Sequence, residues 1–272
     1  MENKVPLWRQ LQAAMEVVSQ VSDGASGTAA LEAVPAELRP GVQALAFQVW
    51  RNLGRARALR SLLAPRKPAA KADALLCTAL ALAWNDEDAP YDAFTLVNQT
   101  VEAAKRTPAT QRQASFINAC LRRFLRERPD LVAQTQADPV ALWNHPLWWI
   151  QRLQKDHPHQ WQAILAAANR HAPMTLRVNT RQNSRADYLA ALSAVGIVGS
   201  PVGASGIQLL QAVPVQKLPG FSDGAVSVQD AAAQMAAPML LSGGSLPTSA
   251  RVLDACAAPG GKAGHLLEMS DA

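Results

Sequence analysis

Residues able to do chemistry gather near the end of the chain, in Arg251-Val252-Leu253-Asp254-Ala255-Cys256-Ala257-Ala258-Pro259-Gly260-Gly261-Lys262. A short apolar run stops at Asp254, a turn of small residues follows, and His265-Leu266-Leu267-Glu268 reads as the start of a helix. Strand, tight loop and helix start form the corner on which open α/β sheets bind nucleotide-like ligands. A phosphate-gripping P-loop needs a Gly separated by four residues from its Gly-Lys, and a Ser or Thr after it. Cys256 and Ala263 occupy those positions, so that reading fails twice. The dinucleotide pattern G-x-G-x-x-G fails as well, because Gly260 and Gly261 are adjacent and Pro259 stiffens the turn. What remains is a loop whose backbone passes close to a ligand. The amides of the following helix start could grip a carboxylate, such as that of a bound amino-acid moiety.

Other reactive side chains are sparse. The three cysteines, Cys77, Cys120 and Cys256, are far apart in apolar or small-residue surroundings, which argues against a disulfide framework and suits a reducing cytoplasm. The five histidines take no metal-ligand spacing beside carboxylates or cysteines, so no metal is expected. His145, before a proline, reads as a capping or positioning residue. The net charge is only +5, but it is clustered: eight basic residues and no acidic one lie between Arg39 and Lys71, and seven stand against Glu127 alone between Lys105 and Arg128. Such clustering is the electrostatic footprint of nucleic-acid binding, set against the alternative of a solvated helix face.

These residues need elements to hold them. With 49% apolar and 17% charged residues the composition is globular, and 272 residues suffice for two or three domains. No apolar run is long enough to span a bilayer, and Met1-Glu2-Asn3-Lys4-Val5 has no signal-peptide pattern. Apolar periodicity predicts helices over about 5–21, 39–63, 69–84, 92–106 and 109–127, the third nearly all-round apolar and therefore central. Ser22–Gly27 and the acidic turn Asn85–Pro90 break them. On the last, Ile117, Cys120, Leu121, Phe124 and Leu125 make the core stripe, while Arg112, Arg122, Arg123 and Arg126 fall within an arc of about 100°. A basic face opposite an apolar one is what phosphate contacts need.

Residues 129–171 continue as helices, with Trp143, Trp148 and Trp149 beside a helix start. They could stack on bases, but side chains that bury so much apolar area are expected in the core. From Met174 the period becomes two. Met174–Asn179 reads as a strand with Thr175, Arg177 and Asn179 on its polar face, followed by a helix capped by Ser184 and ended by Gly196. Strands at Ile197-Val198 and Ile207–Leu210 complete a small α+β module whose Arg170, Arg177, Arg181 and Arg185 give a basic edge. A strand at Ala225–Asp230, a helix over 231–241 and the flexible joint Ser242-Gly243-Gly244-Ser245 lead to the terminal loop.

The run Asp254–Lys262 resembles the S-adenosylmethionine loop of the RNA cytosine-C5 methyltransferases. The chain is similar to the branch of that family which acts on 16S ribosomal RNA and carries a NusB-like N-terminal domain. Ile117–Phe124, His145-Pro146-Leu147-Trp148, Leu176-Arg177-Val178-Asn179 and Ser227–Gln234 resemble that branch in its order. The resemblance implies a multidomain α and α+β protein. Its parts are an all-helical NusB-like RNA-binding domain (1–128), a helical linker (129–171), a small α+β RNA-binding module (172–225) and the start of a Rossmann-like methyltransferase domain (226–272).

It implies S-adenosyl-L-methionine held by Cys256, Ala257, Ala258, Pro259, Gly260, Gly261 and Lys262. It implies ribosomal RNA as partner, met by Arg112, Arg122, Arg123, Arg126, Arg177 and Arg181, by a cytoplasmic monomer with no membrane and no metal. In the family a cysteine thiolate adds to C6 of cytosine, C5 takes the methyl group, a base removes the C5 proton and a second cysteine assists release. Both cysteines belong to Pro-Cys and Thr-Cys motifs beyond the loop, so the catalytic residues are expected downstream of Ala272 and Cys256 is a loop residue. The chain is accordingly expected to be an RNA-binding fragment inactive alone, with 250–272 unsupported, since one strand and one helix cannot cover a parallel sheet. The alternative is a non-catalytic RNA-binding or antitermination-type protein.

Overall fold

Helices form in the first half where apolar residues recur every three or four positions. The computed structural model describes residues 5–87, 89–244, 246–247 and 249–270; Met1–Lys4, Asp88 of the acidic turn and Ser245 of the joint lie outside them. The chain divides into two units, Met1–Arg170 and His171–Ala272.

The first unit contains α1 (Leu7–Ser22), α2 (Gly27–Glu32), α3 (Arg39–Leu63), α4 (Ala70–Ala83) and α5 (Ala93–Arg106). Helix α4 is the centre, with Leu75, Leu76, Leu80 and Leu82 all buried among Leu11 and Met15 of α1, Val42, Val49 and Leu59 of α3, and Leu96 of α5. Burying each such leucine stabilises the fold by about 1.5–3 kcal/mol. The Asp92 carboxylate caps α5 by accepting from the Thr95 amide at 2.8 Å.

Helix α6 (Ala114–Thr135) departs from expectation at both ends. It starts later, because Gln111–Gln113 is a 3-10 turn, and it runs past 127. Pro129 lies inside it and the backbone kinks at Glu127 (φ −111°, ψ 16°), since a proline removes a helical donor and crowds the preceding turn. Ile117, Leu121 and Phe124 fill the core as the stripe predicts.

Beyond α6, the stretch read as a linker packs on the helical unit as α7 (Pro139–Trp143), α8 (Leu147–Asp156) and α9 (Trp161–Ala168). Asn144 joins them to α3. Its backbone is left-handed (φ 55°), a conformation asparagine tolerates. Its side-chain amide donates to the Trp50 carbonyl at 2.8 Å and its Oδ1 accepts from the Gly54 amide at 2.8 Å. Gly54 permits this approach, for a Cβ there would sit 2.4 Å from the Val140 carbonyl oxygen. The His145 ring meets the Trp143 carbonyl at 2.6 Å, so Nδ1 carries the proton and the ring positions the turn.

The second unit is built on a four-stranded antiparallel sheet of order β2-β3-β1-β4: β1 (Thr175–Val178), β2 (Gly199–Val202), β3 (Gly206–Leu209) and β4 (Val226–Val228). Helix α10 (Arg185–Ala194), capped by Ser184 Oγ accepting from the Asp187 amide at 3.1 Å, buries Tyr188 and Leu192 against Leu176, Val178, Ile207 and Leu209. Strand β2 lies two residues beyond Ile197-Val198, because the Ile197 amide is taken by the Leu192 carbonyl at the helix end. Gly199 then pairs with Leu209, and a Cβ on it would come within 2.7 Å of the Ile207 side chain. Strand β4 pairs with β1 and so belongs to the module's sheet, although the sequence assigns 226 onward to the next domain. The short α11 (Ala236–Leu240) and then α12 (Gly261–Met269) close the unit.

Candidate functional site

The loop that organises the sequence lies at the start of α12. Residues 251–254 form no strand: a β-strand needs a neighbour to satisfy its backbone, and among the described residues this run has none, leaving Leu253 88% exposed. The loop itself is ordered by local bonds. Asp254 Oδ1 accepts from the Cys256 amide at 2.9 Å, the Ala258–Pro259 peptide is cis, and Gly260 caps α12 with φ 99°. That φ is open to glycine and costly for residues with a Cβ. Gly261 is the first helical residue and Lys262 the second. No side chain caps this helix, so its first amides and the positive end of its dipole face the loop.

Among the described residues Asp254 Oδ2 is buried without a hydrogen-bond partner, a polar atom poised for a ligand donor. Beside the loop is a cavity of about 460 Å³, lined by Leu240, Val252, Leu253, Cys256, Lys262 and Leu266 among others. An uncapped helix start suits a carboxylate and an apolar hollow suits a thioether or ring face, so Cys256–Lys262 fit the cofactor expected of them.

Helix α12 is not left unsupported. The module's polar sheet face covers it. Arg177 of β1 is 2% exposed; its Nε and Nη2 donate to Glu268 at 3.0 and 2.7 Å, and its Nη1 donates to the Gly261 carbonyl at 2.6 Å and to Gln229 Oε1. Arg181 donates to the Glu268 and Ser270 carbonyls at 3.1 and 2.7 Å, closing the C-terminal turn of α12, where a cation also meets the negative end of the dipole. The family resemblance assigns both arginines to RNA. For Arg177 that assignment is corrected: its charge is consumed inside the unit. Gln234 completes the covering layer by donating to the Leu176 and Gln229 carbonyls at 3.3 and 3.0 Å. His265, 4% exposed, sits in the same layer with Nδ1 unpartnered; burial first, and then the Arg177 charge, push its pKa below 6.5 against the opposing pull of Glu268.

The arginine face of the first unit is partly preserved. Arg122, Arg123 and Arg126 are exposed on α6, whereas Arg112, also exposed, lies on the preceding 3-10 turn, so the four do not share one helical arc. Arg123 and Arg126 both donate to the Glu127 carboxylate, at 2.8 and 2.9 Å, which holds its pKa below the usual carboxylate range. Arg122 donates to Asn118 Oδ1 at 3.3 Å. Such exposed pairs are screened by solvent and weak, so a phosphate can replace the carboxylate.

Cys77 and Cys120 are buried; burial raises both thiols, Cys77 to about 12, while Cys256 is exposed. Trp143 packs inside against Trp161, their rings 5.1 Å apart. Trp148 and Trp149, expected in the core, are 67% and 38% exposed, because α8 turns Ile150 and Leu153 inward instead. Among the described residues no His, Cys, Asp and Glu cluster could hold a metal, and no helix is long and apolar enough to cross a membrane. Sequence reasoning missed Glu268, Gln229, Gln234 and Asn144. Only the polar pair Gln229 and Gln234, spaced around a short apolar strand and turn, carried a signal.

The NusB family model matches residues 9–126, and the model described as Methyltr_RsmF/B-like, ferredoxin-like domain matches 145–216. A Pseudomonas putida protein named ribosomal RNA small subunit methyltransferase B is 46% identical over 178 residues, covering 65% of this chain and 40% of its own length. The Vibrio cholerae protein of that name is 36% identical over 264 residues, covering 94% of this chain and 59% of its own length. The chain thus spans about half the length of these relatives. The crystal structure titled PH0851 superposes with a TM-score of 0.61 at 16% identity, covering 99% of this chain and 62% of that one, a likeness of fold. With both domains present in this order and a relative aligned along nearly all of it, the chain carries a NusB domain followed by an RsmF/B-like ferredoxin-like domain and is similar to the ribosomal RNA small subunit methyltransferases B.

Proposed function

We propose that this chain supplies the RNA-binding and methyl-donor-loop parts of an S-adenosyl-L-methionine-dependent methyltransferase that modifies a cytosine C5 of 16S ribosomal RNA. It would act in the cytoplasm as a monomer. The observation that carries the reading is the uncapped start of α12, where Cys256–Lys262 curl around exposed amides beside an apolar cavity. The donor's carboxylate would meet those amides and Lys262, and Asp254 Oδ2 would accept from its ammonium. When bound, the donor supplies an activated methyl group. Arg112, Arg122, Arg123, Arg126 and Arg181 would contact RNA phosphates; Arg177 instead fixes the loop's helix.

The test uses Cys256, the exposed thiol. S-adenosyl-L-methionine should slow its alkylation while leaving the buried Cys77 and Cys120 unreactive with or without it. Equal alkylation of Cys256 at saturating donor would reject the donor loop. A second reading, an RNA-binding protein without catalysis, is favoured by one observation: 251–254 pairs with no strand among the described residues. Binding of a 16S ribosomal RNA fragment with no methyl transfer and no donor protection would select it.

A further inference from the structure

The two tryptophans that left the core make a surface of their own. Trp148 and Trp149 lie at the start of α8 with rings 5.5 Å apart and 67° between planes. They are 67% and 38% exposed, and Leu147 beside them is 48% exposed. A groove of about 540 Å³ opens there, lined by Trp148, Trp149, Arg152, Leu153, Asp156 and His157. The contrast lies nearby, where the half-buried Trp143 and Trp161 pair in the same edge-on manner against a small core of Ile150, Leu153 and Leu165. With Ile150 and Leu153 filling the buried side of α8, Trp148 and Trp149 are turned outward together. Exposing two indoles loses the stabilisation their burial would give, and adjacent exposed aromatics mark a contact surface.

The charge around them selects the partner. From Asn144 to Arg170 the sequence holds Arg152, Lys155 and Arg170 against Asp156 alone. Arg152 and Asp156 form an exposed pair at 2.5 Å that a phosphate can displace. Exposed ring faces bordered by cations are the standard means of holding single-stranded RNA: bases stack on the rings and phosphates track the charge. An apolar peptide would bury the rings but make no use of the Arg152 and Lys155 charges beside them.

We infer that Trp148 and Trp149 form a stacking platform for unpaired bases of RNA, with Arg152 and Lys155 meeting the adjoining phosphates. The inference rests on RNA being this protein's ligand, and it assigns a contact separate from the arginines of α6. The chain is titrated with a short unstructured oligoribonucleotide and with a duplex of the same length, following tryptophan fluorescence and, in parallel, filter binding. For the single strand, Trp148→Ala and Trp149→Ala should each weaken binding about ten-fold. Binding of the duplex, whose bases are already stacked, should not change. Trp148→Leu and Trp149→Leu keep the apolar surface but lose the ring face, so they should fail like the alanine variants. Full single-strand affinity in the leucine variants would show that the ring faces take no part in binding and would overturn the inference. Unchanged single-strand affinity in the alanine variants, with wild-type melting temperature, would overturn it too, while leaving RNA binding by this protein intact. If the wild-type chain binds neither RNA, the proposed function fails, and this inference with it.

Discussion

Arg177 and Glu268 hold each other in a two-bond fork, Nε to Oε2 at 3.0 Å and Nη2 to Oε1 at 2.7 Å, with the arginine 2% exposed. One sits on a strand of the α+β module and the other on the helix that follows the loop, 91 residues later. The pair converts the module's sheet into the platform that aims the loop.

Removing one partner should therefore do more harm than removing both. Glu268→Ala leaves a buried guanidinium uncompensated and should destabilise the packing of α12 by about 3–5 kcal/mol. Arg177→Met with Glu268→Leu should cost much less. Hydrogen exchange over 261–269 reads the difference, and equal protection in the two variants would show that the pair does not hold the helix.

Replacing Arg122, Arg123 and Arg126 by Ala should weaken RNA binding and flatten its salt dependence, by about 0.7 in slope for each phosphate no longer neutralised on a single strand. Glu127→Gln should act in the opposite direction, since it releases Arg123 and Arg126 from a carboxylate. Filter binding across a salt series checks both signs. Identical slopes for wild type and the triple variant would make the face merely solvated.

Gly260→Ala forces a Cβ onto a backbone at φ 99°. The strain is of order 1–3 kcal/mol and falls on the loop. S-adenosyl-L-methionine should then protect Cys256 from alkylation at least ten-fold less well, while the melting temperature of the helical unit stays unchanged. Protection equal to wild type would mean that the loop tolerates another path.

The depressed pKa of His265 gives a pH signature. An unfolded chain takes up a proton near 6.5, whereas the buried ring resists it. Its contribution to stability is thus fully present above 6.5 and is lost as pH falls through the lower folded value. Protection of α12 against hydrogen exchange, corrected for the intrinsic rate, should drop across that window and should not drop in His265→Phe. The same drop in the variant would place the titration elsewhere.

Much of the helical unit can be read directly from its sequence because three- and four-residue spacing is local. Val42, Leu45 and Val49 announce the inner side of α3, and α4 is apolar nearly all round. The loop 256–262 is equally legible, its residue types leaving few backbone paths. Arg177 is illegible for the opposite reason. Alternation tells which residues share a sheet face, but whether water or a helix covers that face depends on Glu268, too far along the chain for any local pattern to connect. Trp148 and Trp149 escape a sequence reading in the same way: size argues for burial, and only the orientation of α8 decides it.

Asn144 has a consequence for how this unit would meet a long ligand. Its three side-chain bonds, to Trp50, Gly54 and Asn169, fasten α8 and α9 to α3 without a free joint. The arginines of α6 and the tryptophans of α8 therefore belong to one packed unit. A strand long enough to reach both would meet the second without a flexible linker between them, so that the two contacts would reinforce each other. Glycine at 144 would keep the left-handed turn and lose the bonds, and so would test that reinforcement while leaving both contacts in place.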